Sequence, residues 1–310
     1  MLASFALAAC GGEEQAASEQ ASRPAPEAAA FPGPSGSLEE LIAETGESEL
    51  VVSPAGQAYT VGRNRLGFGV FTVEREQITD AEVALYAAHG PTGEAIGPFP
   101  AQVESLETEP AFTARNTAAD PDAARVVYVS DVPFDRPGEW RLVAVVREGE
   151  QAGATRLPSV VAKRDDPVPA PGEPAPRVHT PTADEVGDLA EIDTRIPPST
   201  MHEEDLADVL GEEPVVLLFA TPALCESRVC GPVVDVAEQV KRDRDEDAAF
   251  IHMEIFEDNT PPEPRPQVEA YRLPTEPWLF VIDERGKVDT RIEGAFSAAE
   301  LEAALDRVSG

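Results

Sequence analysis

From Pro214 to the carboxy terminus the apolar residues are grouped in a way that leaves few folds open. Pro214-Val215-Val216-Leu217-Leu218-Phe219-Ala220 is an unbroken apolar run, the mark of a strand covered on both faces. Residues 232–242 instead place Val233, Val236, Ala237 and Val240 on one helical face. Phe250–Ile255 reads as a second strand, Gln267–Tyr271 as a short helix and Trp278–Asp283 as a third strand. A fourth strand, Lys287–Ile292, follows the turn Asp283-Glu284-Arg285-Gly286. Ser297-Ala298-Ala299-Glu300 is a capping box, opening a last helix that runs to about Val308. The predicted order is β-α-β-α-β-β-α.

Residues 38–164 follow a different pattern. Ser37-Leu38-Glu39-Glu40 can cap one short helix, and short β-type runs follow at 49–53, 59–73, 81–87, 125–130, 139–147 and 157–162. Period-2 alternation is plain in Trp140-Arg141-Leu142-Val143-Ala144-Val145-Val146, and turns such as Arg136-Pro137-Gly138 separate the runs. Short punctuated strands favour an antiparallel sandwich. Five prolines between Pro167 and Pro176 then predict an extended spacer over 165–176 that divides two folded units, 38–164 and 177–310.

Charge excludes one class of partner. The chain of 310 residues carries 58 acidic and 24 basic side chains, a formal charge of −34, and its only lysines are Lys163, Lys241 and Lys287. Such a field repels a phosphate backbone, so no nucleic-acid partner is expected. No run of 18 apolar residues suggests a membrane-spanning helix.

Leu7-Ala8-Ala9-Cys10, at the end of a short apolar run, resembles the lipobox of bacterial lipoproteins. The resemblance implies a signal peptide over 1–9, a diacylated Cys10 and a flexible Ala/Ser/Glu/Pro tether over 10–37. It places the protein outside the cytoplasm, lipid-anchored to the cell membrane. No lysine or arginine precedes Arg23, which departs from the charged start of a secretory leader. With Cys10 carrying lipid, Cys225 and Cys230 are the one pair left for an internal disulfide in an oxidising compartment.

The element order, the cysteine pair after the first strand and Glu276-Pro277 before the third together resemble the thioredoxin fold. The segment Glu276-Pro277-Trp278 through Gly286 is similar to that of membrane-anchored thiol–disulfide oxidoreductases, in which the proline is cis and lies against a reactive disulfide. Gly172-Glu173-Pro174-Ala175-Pro176 and Gly211-Glu212-Glu213-Pro214 resemble the entry of that family and of peroxiredoxins, and the resemblance covers about residues 172–310. Pro137-Gly138-Glu139-Trp140 resembles a strand entry of immunoglobulin-like extracytoplasmic domains. The implied fold class is an α/β thioredoxin-like carboxy-terminal domain behind an all-β immunoglobulin-like sandwich.

The spacing departs from the family's C-x-x-C. Cys225 and Cys230 are C-x4-C, and five residues of regular helix turn through about 140°, which points the thiols apart. Cys225 is therefore expected in the loop before the helix, with Pro232 at the first helical position. A helix amino terminus lowers a thiol's pKa. Arg228 acts in the same direction, Glu226 and Glu276 against it. Cys225 is read as the attacking thiol, Cys230 as the resolving one and Pro277 as the cis-proline beside them. In a second register, Cys230-Gly231-Pro232-Val233 matches Cys-Gly-Pro-Cys with its second cysteine replaced, and Cys230 attacks. The expected partners are exported protein thiols or a membrane electron donor, with no cofactor.

Three other readings stay open. The disulfide can be a structural staple in a non-catalytic binding or scaffold module. Copper chaperones of the Sco type share the fold and use two cysteines and a histidine. Here His252 lies inside a strand, His202 in an apparent capping box Thr200-Met201-His202-Glu203, and His179 at the linker exit, so none is placed as their ligand. Peroxiredoxins carry Thr-x-x-Cys, one residue shorter than Thr221 to Cys225. His89, in His89-Gly90-Pro91, reads as a surface-loop histidine.

Overall fold

A computed structural model describes residues 22–34, 36–148 and 151–309. The expected signal peptide, Cys10 and residues 11–21 of the expected tether lie outside the described residues. The rest of that stretch is no loose tether, since Arg23 exchanges backbone hydrogen bonds with Val103 and Phe31 is buried. Among the described residues no helix is long and apolar enough to cross a membrane.

Among the described residues the amino-terminal half contains α1 (Leu38–Thr45), α2 (Arg115–Ala119) and nine strands. These are β1 (Val51–Pro54), β2 (Tyr59–Thr60), β3 (Gly62–Phe71), β4 (Glu82–His89), β5 (Ile96–Pro100), β6 (Gln102–Ser105), β7 (Val126–Phe134), β8 (Gly138–Glu148) and β9 (Gln151–Lys163). They form two sheets, ordered β1-β3-β7-β6 and β2-β9-β8-β4-β5. Both sheets contribute to one core, where Phe68 and Val132 of the first meet Val83 and Leu142 of the second. Trp140 anchors that core against Phe134 and donates its indole N–H to the Arg136 carbonyl at 3.1 Å. His89 is no loop residue. It ends β4, half-buried, with its ring 5.2 Å from that of Trp140.

Strand β5 has no strand signal in the sequence because Pro98 and Pro100 interrupt its pattern, and β6 is only four residues long. Both strands lie at sheet edges, where a missing N–H need not break a ladder. The half is also not purely β. Ser37 and Glu40 form the expected reciprocal cap of α1. Leu38, Leu41 and Ile42 then cover the outer face of β4 at Ala84, Tyr86 and Ala88.

The carboxy-terminal half contains α3 (Leu206–Val209), β10 (Val215–Phe219), α4 (Cys230–Arg244), β11 (Ala249–Met253), α5 (Pro266–Tyr271), β12 (Trp278–Ile282), β13 (Val288–Glu293) and α6 (Ala298–Val308). From β10 onward this is the β-α-β-α-β-β-α order that the apolar runs predict. The sheet is ordered β11-β10-β12-β13, with β10 parallel to β11 and antiparallel to β12. Alternation explains the unbroken runs. Val216, Leu218, Leu279 and Val281 face α4 and α6 in one cluster, while Val215, Leu217, Phe219 and Phe280 face Tyr271 in another. The Ser297 cap of α6 forms as predicted. The box at Thr200 does not: no helix starts there, and α3 is instead capped by Asp205.

The two halves are packed together. In β7, Val126 and Tyr128 belong to the amino-terminal core, while Val127 and Val129 join the core that holds α4 and α6. Glu300 receives both Nε and Nη2 of Arg65, at 2.7 and 2.8 Å. Residues 165–176, expected as a spacer, lie along β13. Asp166 pairs with Arg291 at 2.7 Å, and Val168 is fully buried. The residues between the prolines keep their N–H groups. Gly172 donates to the Val288 carbonyl and Ala175 to that of Gly286, which holds the stretch on the sheet.

Candidate functional site

The chain leaves β10 at Phe219 and turns at Thr221–Leu224, closed by Leu224 N–H to the Thr221 carbonyl at 3.2 Å. It reaches α4 at Cys230, not at Pro232. Pro232 sits inside the first turn, where its absent N–H has no partner to miss. Cys225 and Cys230 are joined as a disulfide across Cα atoms 5.9 Å apart. The offset between a turn residue and a helix residue is what brings C-x4-C within reach.

The two sulfurs differ in access. Cys230 is fully buried in the core that holds α4, whereas Cys225 is half-buried and packs against that core from outside. The Ser227 hydroxyl lies 3.1 Å from Cys225 Sγ and, with no S–H present, is the donor. Cys230 lies at the amino end of α4, where unpaired N–H groups favour a thiolate.

The charged neighbours are arranged differently from the expectation. Arg228, at a positive φ of 61°, turns to Asp120 of the amino-terminal half at 2.8 Å, so its charge is partly neutralised there. Ala124 donates to the Arg228 carbonyl at 3.1 Å. Residues 114–124, in the connection from β6 to β7, thereby fold over the cysteine loop. Asn116, Thr117, Asp120 and Ala123 share a cleft of about 40 Å³ with Cys225 and Arg228. The amino-terminal half, in which the sequence shows no chemistry, supplies a wall of the site.

Pro277 is buried and its bond to Glu276 is cis, as the resemblance implies. Thr275 and Glu276 line a larger cleft of about 660 Å³ together with Ser227 and Val229 of the cysteine loop. Its opposite wall is Ser53–Gln57 and Pro158–Val161. Glu293 holds this region. It accepts the Gln57 and Ala58 N–H groups, both at 2.8 Å, and the Thr275 hydroxyl at 2.6 Å. Burial first, and then the charge of Glu226, raises the pKa of Glu276. A carboxyl raised in this way stabilises the fold below its pKa, and that contribution is lost as pH rises through it. Glu276→Gln is therefore expected to melt at a higher temperature than the parent at pH 8, with the gap closing toward pH 4. Its disulfide should be reduced by dithiothreitol about fivefold faster at neutral pH, from loss of roughly 1 kcal/mol of like-charge repulsion. Equal rates at pH 8 contradict a role for this carboxylate.

Beneath the loop lies a cluster that sequence reasoning missed. Asp193, His202 and His252 are all buried and within reach of one another. Burial acts to raise Asp193, but the charge of His252 and the hydrogen bonds from His202, His252 and the Ser199 N–H hold it well below the usual carboxylate range. Burial lowers His202. Burial also acts to lower His252, yet the charge and hydrogen bond of Asp193 push it up to about 9. One signal was available: a histidine inside the apolar run Phe250–Ile255 needs a buried partner. The partner lies 59 positions away, so spacing could not name it. His252 also faces the Ala220 carbonyl at 3.1 Å, so its ring is not presented to the sulfurs as a copper-chaperone ligand. His179 is exposed; its hydrogen bond to Asp205 raises its pKa, against the pull of burial.

No protein-family model matches the chain, and no curated protein matches it. Among solved structures, one similar chain comes from Chlorobium tepidum and is provisionally described as thiol:disulfide interchange protein DsbE. It is 19% identical, with 46% of this chain and 99% of that chain covered, at a TM-score of 0.32. So slight a likeness carries no weight, and the geometry of the disulfide has to stand alone.

Proposed function

We propose that the protein is a thioredoxin-like thiol–disulfide oxidoreductase, tethered outside the cell membrane through a lipid on Cys10. One observation carries the reading: the disulfide joins a reachable sulfur in a turn to a sealed sulfur at a helix amino terminus. An incoming thiolate attacks Cys225 Sγ, the Cys225–Cys230 bond breaks, and Cys230 leaves as a thiolate held by the N–H groups of α4. A second thiolate attacks the substrate sulfur of the mixed disulfide. It releases an oxidised product and leaves two protein thiols. In reverse, the Cys225 thiolate reduces a substrate disulfide and Cys230 resolves the adduct. The cleft between Glu276 and β9 is the place for the partner chain, an exported protein thiol or a membrane electron donor.

The competing reading is a staple in a non-catalytic module, favoured by the Asp120–Arg228 pair folded over the loop. Titration of the pair against glutathione buffers separates them. Exchange predicts a potential above about −300 mV together with insulin reduction, whereas a lower potential without turnover supports the staple.

A further inference from the structure

The buried cluster under the cysteine loop has no part in the exchange chemistry, and four of its polar atoms approach one another closely. Asp193 Oδ2 lies 3.0 Å from His202 Nε2 and 3.3 Å from His252 Nδ1. Ser199 Oγ lies 3.2 Å from each of the same two ring nitrogens. The three titratable side chains are 1–3% exposed. They come from separate places: the segment after the linker, the segment before α3, and the end of β11, just before Met253.

Hydrogen-bond accounting calls for one added positive charge at this point, either a proton on His252 or a cation. The Ala220 carbonyl only accepts, so His252 Nε2, 3.1 Å away, carries its ring hydrogen there. In the neutral ring His252 Nδ1 then turns a lone pair toward Asp193 Oδ2, which is also an acceptor. The outer contacts fix both groups in this pose. Asp193 Oδ1 takes the Arg195 N–H at 2.7 Å, and Oδ2 takes the Ser199 N–H at 2.6 Å. An added proton can settle one such pair. A cation engages both rings, Asp193 Oδ2 and Ser199 Oγ at once. All four separations are compatible with a single central cation. Metal–ligand bonds of about 2.0–2.1 Å in a tetrahedron place neighbouring ligand atoms about 3.3–3.4 Å apart. The observed 3.0–3.3 Å differs by a few tenths of an ångström.

We propose that His202 Nε2, His252 Nδ1, Asp193 Oδ2 and Ser199 Oγ bind one divalent cation of the zinc class in a closed, tetrahedral site. Two imidazoles and a carboxylate suit that ion, and a site without an open position holds structure instead of doing chemistry. It ties residues 193–202 to β11. Through the His252 bond to Ala220 it also braces the point where the chain leaves β10 for the cysteines.

The test loads the full chain with zinc chloride, removes the excess by desalting and counts zinc per chain by mass spectrometry. About one ion per chain is expected, falling below about a tenth in Asp193→Asn and His202→Gln. Cys225→Ser and His179→Ala should keep the ion, which excludes the sulfurs and the exposed His179 as its holders. Cobalt(II) loaded into the wild-type chain should show the intense visible bands of tetrahedral coordination, a readout that needs no variant to fold. A folded wild-type chain retaining less than about a tenth of an ion overturns the proposal and leaves a protonated His252 paired with Asp193. So does a weak octahedral cobalt spectrum, or full retention by folded Asp193→Asn and His202→Gln.

Discussion

A Cys230→Ser variant accumulates stable mixed disulfides through Cys225, and a Cys225→Ser variant loses disulfide exchange by at least about a thousandfold. The asymmetry follows from burial. Cys225 is the half-buried sulfur that another molecule can reach, and Cys230 is sealed among the α4 residues. With Cys230 changed, an adduct on Cys225 has no neighbour to resolve it. With Cys225 changed, the remaining thiol is out of reach. Insulin reduction with dithiothreitol measures the loss, and mass spectrometry of Cys230→Ser incubated with oxidised glutathione detects the adduct. The reverse result, adducts on Cys230 in the Cys225→Ser variant, assigns the attack to the Cys-Gly-Pro register. A Cys225→Ser variant that keeps a third of the parental rate removes the pair from the chemistry.

Asp235→Ala is expected to destabilise the chain by about 3–5 kcal/mol, a fall in melting temperature on the order of 10 °C. Asp235 lies on the buried face of α4. Its Oδ1 receives Nε of Arg195 at 2.8 Å and its Oδ2 receives the Ala114 N–H at 3.0 Å. Arg195 in turn donates to the carbonyls of Phe112 and Pro197 at 2.6 and 2.9 Å. Removing the carboxylate leaves a guanidinium and an amide buried without it, at the junction of the two halves. Asp235→Asn retains an acceptor and should lose less. Thermal unfolding of the two variants beside the parent checks the order; a fall below about 3 °C for Asp235→Ala contradicts it.

The carboxy-terminal architecture was readable because its apolar runs are continuous, and only a strand covered on both faces tolerates Val215–Phe219 without a polar break. Capping boxes at Ser37 and Ser297 were equally readable, since their partners sit three residues away. What escaped notice depends on contacts between distant positions. The Thr200 box has the right letters, but Glu238 from α4 takes the Thr200 N–H at 2.5 Å. The proline stretch has a linker's composition, yet its N–H groups find carbonyls on β13 and on the turn before it. At the site, sequence placed Cys225 before the helix for a sound steric reason. It could not see Asp120 drawing Arg228 aside, or Asp193 waiting beneath His252.

Strand β7 has apolar side chains on both faces, one set for each half of the chain. That makes the molecule poor material for evolutionary exchange of modules. A recombination event that carried residues 177–310 to a new amino-terminal companion would lose Leu106, Val127 and Val129 from the carboxy-terminal core, and the remnant would become sticky. Descendants of this chain should therefore inherit both halves as one piece.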